Sequence, residues 1–240
     1  MKRTIGYCLV YLATSFLLAG CNLIIFNPKG AVARDERDLI ILATGLMLLV
    51  VVPVIVMTFV FAYRYRATNK KARYSPRWAS SQKIEAVVWG VPFIIICLLG
   101  WVTWVTTHTL DPYRPLDSDV PHMNVQVVAT DWKWLFIYPD LGIASVNELA
   151  MPVNTPVSFT VTSDAAMTSF FIPALGGQIY AMAGMQTKLH LIANEVGEFR
   201  GIAANYNGEG FSDMHFSTLS LNPSDFEQWV AKVRKAPQRL

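Results

Sequence analysis

Two long apolar stretches in the first half of the chain, beyond its N-terminal segment, carry no charged side chain: residues 39–62, which is 24 residues, and residues 86–107, which is 22. A bilayer core of about 30 Å asks for roughly 20 helical residues at about 1.5 Å each, so either stretch is long enough to cross it. No water is present there to satisfy N–H and C=O groups, and a crossing segment of this kind must therefore be a helix. Pro53 and Pro92 lie inside the two stretches, a placement that membrane helices tolerate. Between them, residues 63–84 hold Arg64, Arg66, Lys70, Lys71, Arg73, Arg77 and Lys83 with no acid among them. The positive-inside bias puts such a loop in the cytoplasm and both flanking segments on the far side. Trp101, Trp104 and His108 recur at i, i+3 and i+7, one helix face near the outer interface, where aromatic belts form.

The rest of the composition agrees with a chain divided between lipid and water. Hydrophobic residues make up 53% and charged residues 15%, against about 25% charged in ordinary soluble domains. The formal net charge of +3 hides an asymmetry, because residues 108–240 carry 8 basic and 13 acidic side chains. A nucleic-acid binder gathers Lys and Arg on its folded domain; here that domain is acidic, and nucleic acid is excluded as the main partner. At the N-terminus, Lys2 and Arg3 precede an apolar run that ends in Leu18-Ala19-Gly20-Cys21. This reads as an export signal over residues 1–20, and its last four residues resemble the lipobox of bacterial lipoproteins, which implies cleavage before Cys21 and acylation there. The other cysteines are Cys8 and Cys97, so the segment after the second apolar stretch has neither a disulfide nor a thiolate to offer, even in an oxidising compartment.

Residues 122–222 alternate apolar and polar side chains in short runs, with Val157, Phe159 and Val161 among the clearest. Turn signals break them at Pro139-Asp140, Asn154-Thr155-Pro156, Gly176-Gly177 and Asn207-Gly208. Six or more strands at this spacing predict an antiparallel β-sandwich of about 100 residues. Phe226, Trp229, Val230 and Val233 then follow helical spacing behind Ser224 or Asp225 as a cap, which predicts a short amphipathic helix. The expected fold class is a membrane α hairpin followed by an all-β domain. Residues 21–38 form an anchored segment and residues 39–107 the transmembrane hairpin with its basic loop 63–84. Residues 122–222 are the sandwich and residues 223–240 the C-terminal helix and tail.

Several segments together carry a resemblance. They are Asn27-Pro28-Lys29-Gly30, Tyr74-Ser75-Pro76, Lys83-Ile84-Glu85-Ala86-Val87-Val88-Trp89, Asp131-Trp132-Lys133-Trp134, Ser169-Phe170-Phe171-Ile172-Pro173, and residues 178–187 from Gln178 through Met182 and Met185 to Thr187. In this order, behind a lipobox and ahead of a C-terminal helix, they resemble subunit II of the haem–copper oxidases, and within it the cytochrome o type ubiquinol oxidases. The resemblance implies a cupredoxin-like domain in the periplasm, on a multi-pass, lipid-anchored subunit of a bacterial inner membrane. It also implies a part in the respiratory chain, where ubiquinol oxidation is coupled to reduction of oxygen to water and to proton translocation. Haems, copper and the quinol site are then expected in a partner, subunit I, with other small subunits and membrane lipid as further neighbours. Glu85 matches the position where the family places the entrance of a proton channel.

In the cytochrome c oxidase branch the same sandwich holds a dinuclear copper centre on two cysteines, two histidines, a methionine and a glutamate carbonyl. Laid along this chain, that ligand set falls on Ala203 and Asn207 for the cysteines, and on Thr168 and Phe211 for the histidines. Asn205 stands at the glutamate and Met214 at the methionine. Bridging thiolates supply the softness such a centre needs, and none is present. The expectation is a structural, non-redox subunit that binds no cofactor or metal, does not take electrons from cytochrome c, and contains no catalytic residue of its own. Trp132 matches the electron-entry position of the copper-bearing branch and loses that role here. Met214 and the Asn207-Gly208 turn are expected to persist as packing residue and tight turn. His190 alternates with Leu189 and Leu191 and is expected to face outward; neither it nor His122 or His215 has ligand spacing to a partner. The alternative is a copper-free cupredoxin-like lipoprotein that serves as a binding module in another complex. A copper-bearing cytochrome c oxidase subunit is disfavoured.

Overall fold

The computed structural model describes residues 23–73 and 75–236. The signal segment and Cys21 lie outside the described residues. The chain divides into two compact units, Met1–Arg34 with Asp117–Leu240, and Asp35–Leu116.

The second unit is helical. Helix α1 spans Ala31–Arg64 and α2 spans Gln82–Thr109, and both are long and apolar enough to cross a membrane. Each outruns its charge-free stretch. In α1 the extra turns hold Arg34, Asp35, Glu36, Arg37 and Asp38, side chains that suit a helical segment in water rather than lipid. Most side chains of both stretches stand exposed, among them Leu49, Phe59, Phe93 and Trp104; lipid or protein must cover them, since water would not tolerate so continuous an apolar surface.

The first unit is a sandwich of ten strands in two five-stranded sheets. One sheet runs β3-β2-β1-β5-β8, with β1 Met123–Thr130, β2 Lys133–Tyr138, β3 Ile143–Val146, β5 Val157–Ser163 and β8 Thr187–Leu191. The other runs β4-β10-β9-β6-β7, with β4 Glu148–Pro152, β6 Thr168–Phe171, β7 Ile179–Ala181, β9 Gly197–Ala203 and β10 His215–Leu221. Most neighbours are antiparallel, as the alternation predicts. Each sheet also contains one parallel pair, β1 with β5 and β4 with β10, because the chain switches sheets between β3 and β4. Asn147 makes that switch at φ +55°, where its side-chain oxygen accepts from the Trp134 amide at 2.8 Å. Asn is among the few non-glycine residues at home in that region.

Alternation sends Val125, Val127, Trp134, Phe136, Phe159, Phe170 and Phe216 into one core between the sheets. Phe170 stacks on Phe216 at 5.2 Å and 5° between ring planes, and meets Trp134 and Phe159 at 5.4 Å each. Tyr138 ties the sheets with its hydroxyl, which donates to the Ala150 carbonyl at 3.0 Å and accepts from the Ala150 amide at 2.9 Å. Burial pushes this phenol well above its ordinary pKa, since a buried anion would lose its hydration.

Helix α3, Pro223–Lys235, closes one end with Phe226, Trp229 and Val230 buried. Its cap is Asn222 with Pro223 at the first helical position, not Ser224 or Asp225; proline is well placed there because its missing N–H is not needed. Asp225 instead accepts from the Asn222 side-chain nitrogen at 3.2 Å, and Trp229 donates to Glu148 at 2.6 Å.

Candidate functional site

The six positions onto which the copper ligands of the other branch are expected to fall, Thr168, Ala203, Asn205, Asn207, Phe211 and Met214, lie in β6, the end of β9, and the loop from Ala204 to Met214. The fold draws them to one place. Thr168, fully buried at the start of β6, donates its hydroxyl to the Asn205 carbonyl at 3.1 Å. Ala203 pairs with Phe170 and donates its amide to the Met214 carbonyl at 3.0 Å. Asn207 sets its side-chain nitrogen 3.0 Å from the Met214 sulfur, and Met214 is 2% exposed within the core cluster. Phe211 sits in a 3-10 turn, Glu209–Asp213, with its ring 5.6 Å from Tyr206.

These contacts engage the Thr168 hydroxyl and the Asn207 side-chain nitrogen, while the Asn207 Oδ1 is buried without a partner. The Thr168 hydroxyl is tied to backbone, the Ala203 methyl has no lone pair, and the Met214 thioether is the sole sulfur in the set. One thioether with amides and hydroxyls does not match the thiolate and imidazole donors that hold a dinuclear copper ion pair. Among the described residues no three of His, Cys, Asp or Glu converge. The residues present do not fit the centre.

Trp132 lies beside this loop in the β1–β2 turn, at φ +56°, a costly conformation for a bulky residue. Its indole lies on Gly208 and Gly210; a Cβ on Gly208 would meet the ring at 3.6 Å, and one on Gly210 would overlap it. Gly208, at φ +119°, adopts a conformation open to glycine but not to side chains. Asn207 itself is not left-handed, so the positive φ of this turn falls on the glycine alone. The strained Trp132 is thus held by packing, and its ring stays 42% exposed.

His190 occupies the predicted outer face of β8, opposite Leu189 and Leu191, yet it is only 8% exposed. This corrects the expectation of a surface residue. The cover is His122, which enters ahead of β1 and sets its ring edge-on to His190 at 6.1 Å and 90°. The His190 Nδ1 is buried without a partner. Desolvation first, then the neighbouring His122 and Lys188 charges, lower its pKa below 6.5. The unfolded chain therefore binds more protons than the native one once pH drops below about 6.5. Stability should be full above that value and fall as pH drops from it toward the depressed native pKa. Urea midpoints compared between pH 8 and pH 5 should show that loss, and His190→Gln should remove the part of the slope that this ring supplies. His215, on β10, is exposed and makes no such pair.

Glu85 stands exposed in the first turn of α2, its amide donating to the Ser81 carbonyl at 2.9 Å. A carboxylate there is favoured by the helix dipole. Trp101 and Trp104 are exposed, and the Trp104 ring lies 4.6 Å from that of His108, as a belt on one face requires. What the sequence did not reveal is the role of Asn27-Pro28-Lys29-Gly30. These residues lie on the sandwich: the Lys29 and Gly30 amides both donate to the Ala174 carbonyl, at 2.7 and 3.2 Å, and the Asn194 amide donates to the Lys29 carbonyl at 2.8 Å. Lys29 adds an ion pair with Glu195 at 2.6 Å. The motif is legible in the sequence, but its receptor, Ala174, Leu175 and residues 192–195, is distant in sequence.

Comparison with known proteins bears on the same residues. The family model described as cytochrome c oxidase subunit II, periplasmic domain, matches residues 140–220. The chain is 62% identical over 229 residues to cytochrome bo(3) ubiquinol oxidase subunit 2 of Pseudomonas aeruginosa, covering 95% of this chain and 69% of that one. It is 52% identical over 231 residues to ubiquinol oxidase subunit 2 of Acetobacter aceti, covering 95% and 75%. Among solved structures, the periplasmic domain of subunit II of cytochrome oxidase of Bradyrhizobium japonicum aligns at 22% identity with a TM-score of 0.47, over 51% of this chain and 98% of that one. At these identities and coverages, the chain belongs to the ubiquinol oxidase subunit II family.

Proposed function

We propose that the chain is a structural, non-redox subunit of a membrane ubiquinol oxidase, docked on the subunit that holds the haems and copper. The observation that carries this reading is the loop from Ala203 to Met214, in which every copper-ligand position but Met214 has a side chain unable to replace the lost thiolates and imidazoles. Electrons then enter the complex from ubiquinol at the partner, and the sandwich serves to cap and position. The names of the relatives support the substrate. The two apolar helices support a multi-pass inner-membrane placement, with loop 63–84 in the cytoplasm and the sandwich in the periplasm. The Leu18-Ala19-Gly20-Cys21 motif supports acylation at Cys21.

Glu85 is proposed as part of a proton-entry path into the partner. It is the acid in the first turn of α2 and is exposed. Tagged chain purified from membranes should bring haem with it and should support oxygen uptake with ubiquinol but not with reduced cytochrome c. In the same preparation Glu85→Gln should assemble normally and lower turnover by about tenfold, equivalent to roughly 1.4 kcal/mol of barrier. Isolation without haem would favour the binding-module alternative, and unchanged turnover and proton uptake between pH 6 and 8 would remove Glu85 from the path.

A further inference from the structure

Just ahead of the pinned Asn27–Gly30 segment, a 3-10 turn spans Ile24–Phe26. Leu23, Ile24, Ile25 and Phe26 are each about half exposed. Four consecutive apolar side chains in water are an ordinary accident of a loose tail. Here the turn is not loose, because Gly30 fixes the chain that carries it. A Cβ on Gly30 would come within 2.5 Å of the Leu175 carbonyl oxygen and 2.8 Å of that of Ile192, and Ala33 donates its amide to Leu175 at 3.1 Å. Helix α1 starts at Ala31, and its charge-free stretch starts at Leu39. Eight residues at about 1.5 Å each separate the two, and the five steps from Phe26 to Ala31 add at most roughly 18 Å, so the turn lies within roughly 30 Å of chain from the point where lipid begins. The intervening residues 34–38 are all charged, as suits the headgroup layer. Beside the turn lies a cleft of about 230 Å³ whose walls combine Ile24 and Phe199 with Lys29, Arg200 and Glu198. An apolar wall with charges of both signs matches a phospholipid, whose chain and headgroup need those two surroundings.

We propose that the Leu23–Phe26 turn is a membrane-insertion foot. It dips into the phospholipid leaflet on the sandwich's side and clamps the sandwich to the bilayer independently of any acyl chain on Cys21. The proposal rests on the reading that α1 crosses the bilayer. The test uses the assembled oxidase in phosphatidylethanolamine–phosphatidylglycerol vesicles. Nitroxide labels are placed one at a time at Ile24→Cys, Phe26→Cys, Tyr206→Cys and Leu49→Cys, each with Cys97→Ser, and relaxed with oxygen or with a water-soluble nickel chelate. Positions 24 and 26 should be relaxed several-fold more by oxygen than by nickel, as at position 49, whereas position 206 should show the opposite. The same depth should remain when Cys21→Ala is added. Nickel access at positions 24 and 26 with position 49 deep overturns the foot while leaving the spanning helix in place. Protection from both reagents means that another subunit covers the turn and also overturns it, as does loss of depth in Cys21→Ala. An aqueous position 49 overturns the helix reading and the foot together.

Discussion

Phe170→Ala should cost the sandwich about 3–5 kcal/mol, the range for truncating a buried phenylalanine. The ring is fully buried and lies against Trp134, Phe136, Phe159 and Phe216, with centroids between 5.2 and 6.3 Å away. It belongs to β6, while Trp134, Phe136 and Phe159 come from the opposing sheet, so removing it opens the seam between layers. Against a total stability of about 5–15 kcal/mol, the loss takes a large share. Near-ultraviolet dichroism during urea unfolding reads it directly, because Trp134 reports on the same contact. Phe170→Leu refills most of the volume and should cost clearly less; equal losses would mean that the aromatic stack is not what holds the sheets.

Gly30→Ala should be the most damaging single methyl group at the sandwich's N-terminal seat. All three atoms nearest the added Cβ belong to backbone, namely the Leu175 oxygen and Cα and the Ile192 oxygen, at 2.5 to 2.9 Å. Backbone in a paired loop yields less than a side-chain tip, and overpacking of this kind costs about 1–3 kcal/mol. The segment should lift, releasing the amide bonds of Lys29, Gly30 and Asn194 and the Lys29–Glu195 pair. Hydrogen exchange at those amides should accelerate by roughly tenfold or more, since about 1.4 kcal/mol corresponds to a factor of ten. The amides of β1 should keep their protection; if they too were exposed, the damage would be global rather than local.

The two long apolar helices were legible because charge and length act locally. A charge-free stretch of 24 residues and a loop with seven cations state their preferences without reference to the rest of the chain. The same holds for α3, whose apolar spacing names its buried face, although the cap was misplaced by two or three residues because Pro223 serves as the first helical residue and not as a breaker. Alternation named the strand faces but not the neighbours, and the parallel pairing of β1 with β5 remained hidden. His190 shows the same limit. Its face on β8 followed from alternation, but its burial depends on His122, from another part of the chain. Met214 was readable as a packed residue, whereas the Asn207 amide on its sulfur required the closed loop. Trp132 carried no sign of its left-handed backbone, because the two glycines that make room for it lie in that loop.

The donor set of that loop decides whether the sandwich can hold copper. On the proposed correspondence, Ala203 and Asn207 take the places of the thiolates and Thr168 and Phe211 those of the imidazoles, and the Thr168 hydroxyl and Asn207 side-chain nitrogen are already engaged at 3.1 and 3.0 Å. The most direct measurement is copper retained by the purified full-length chain after incubation with excess copper and dialysis against a chelator, read by elemental analysis and near-infrared absorption. Copper at background and no near-infrared band are the expected result. Stoichiometric copper surviving the chelator would contradict it.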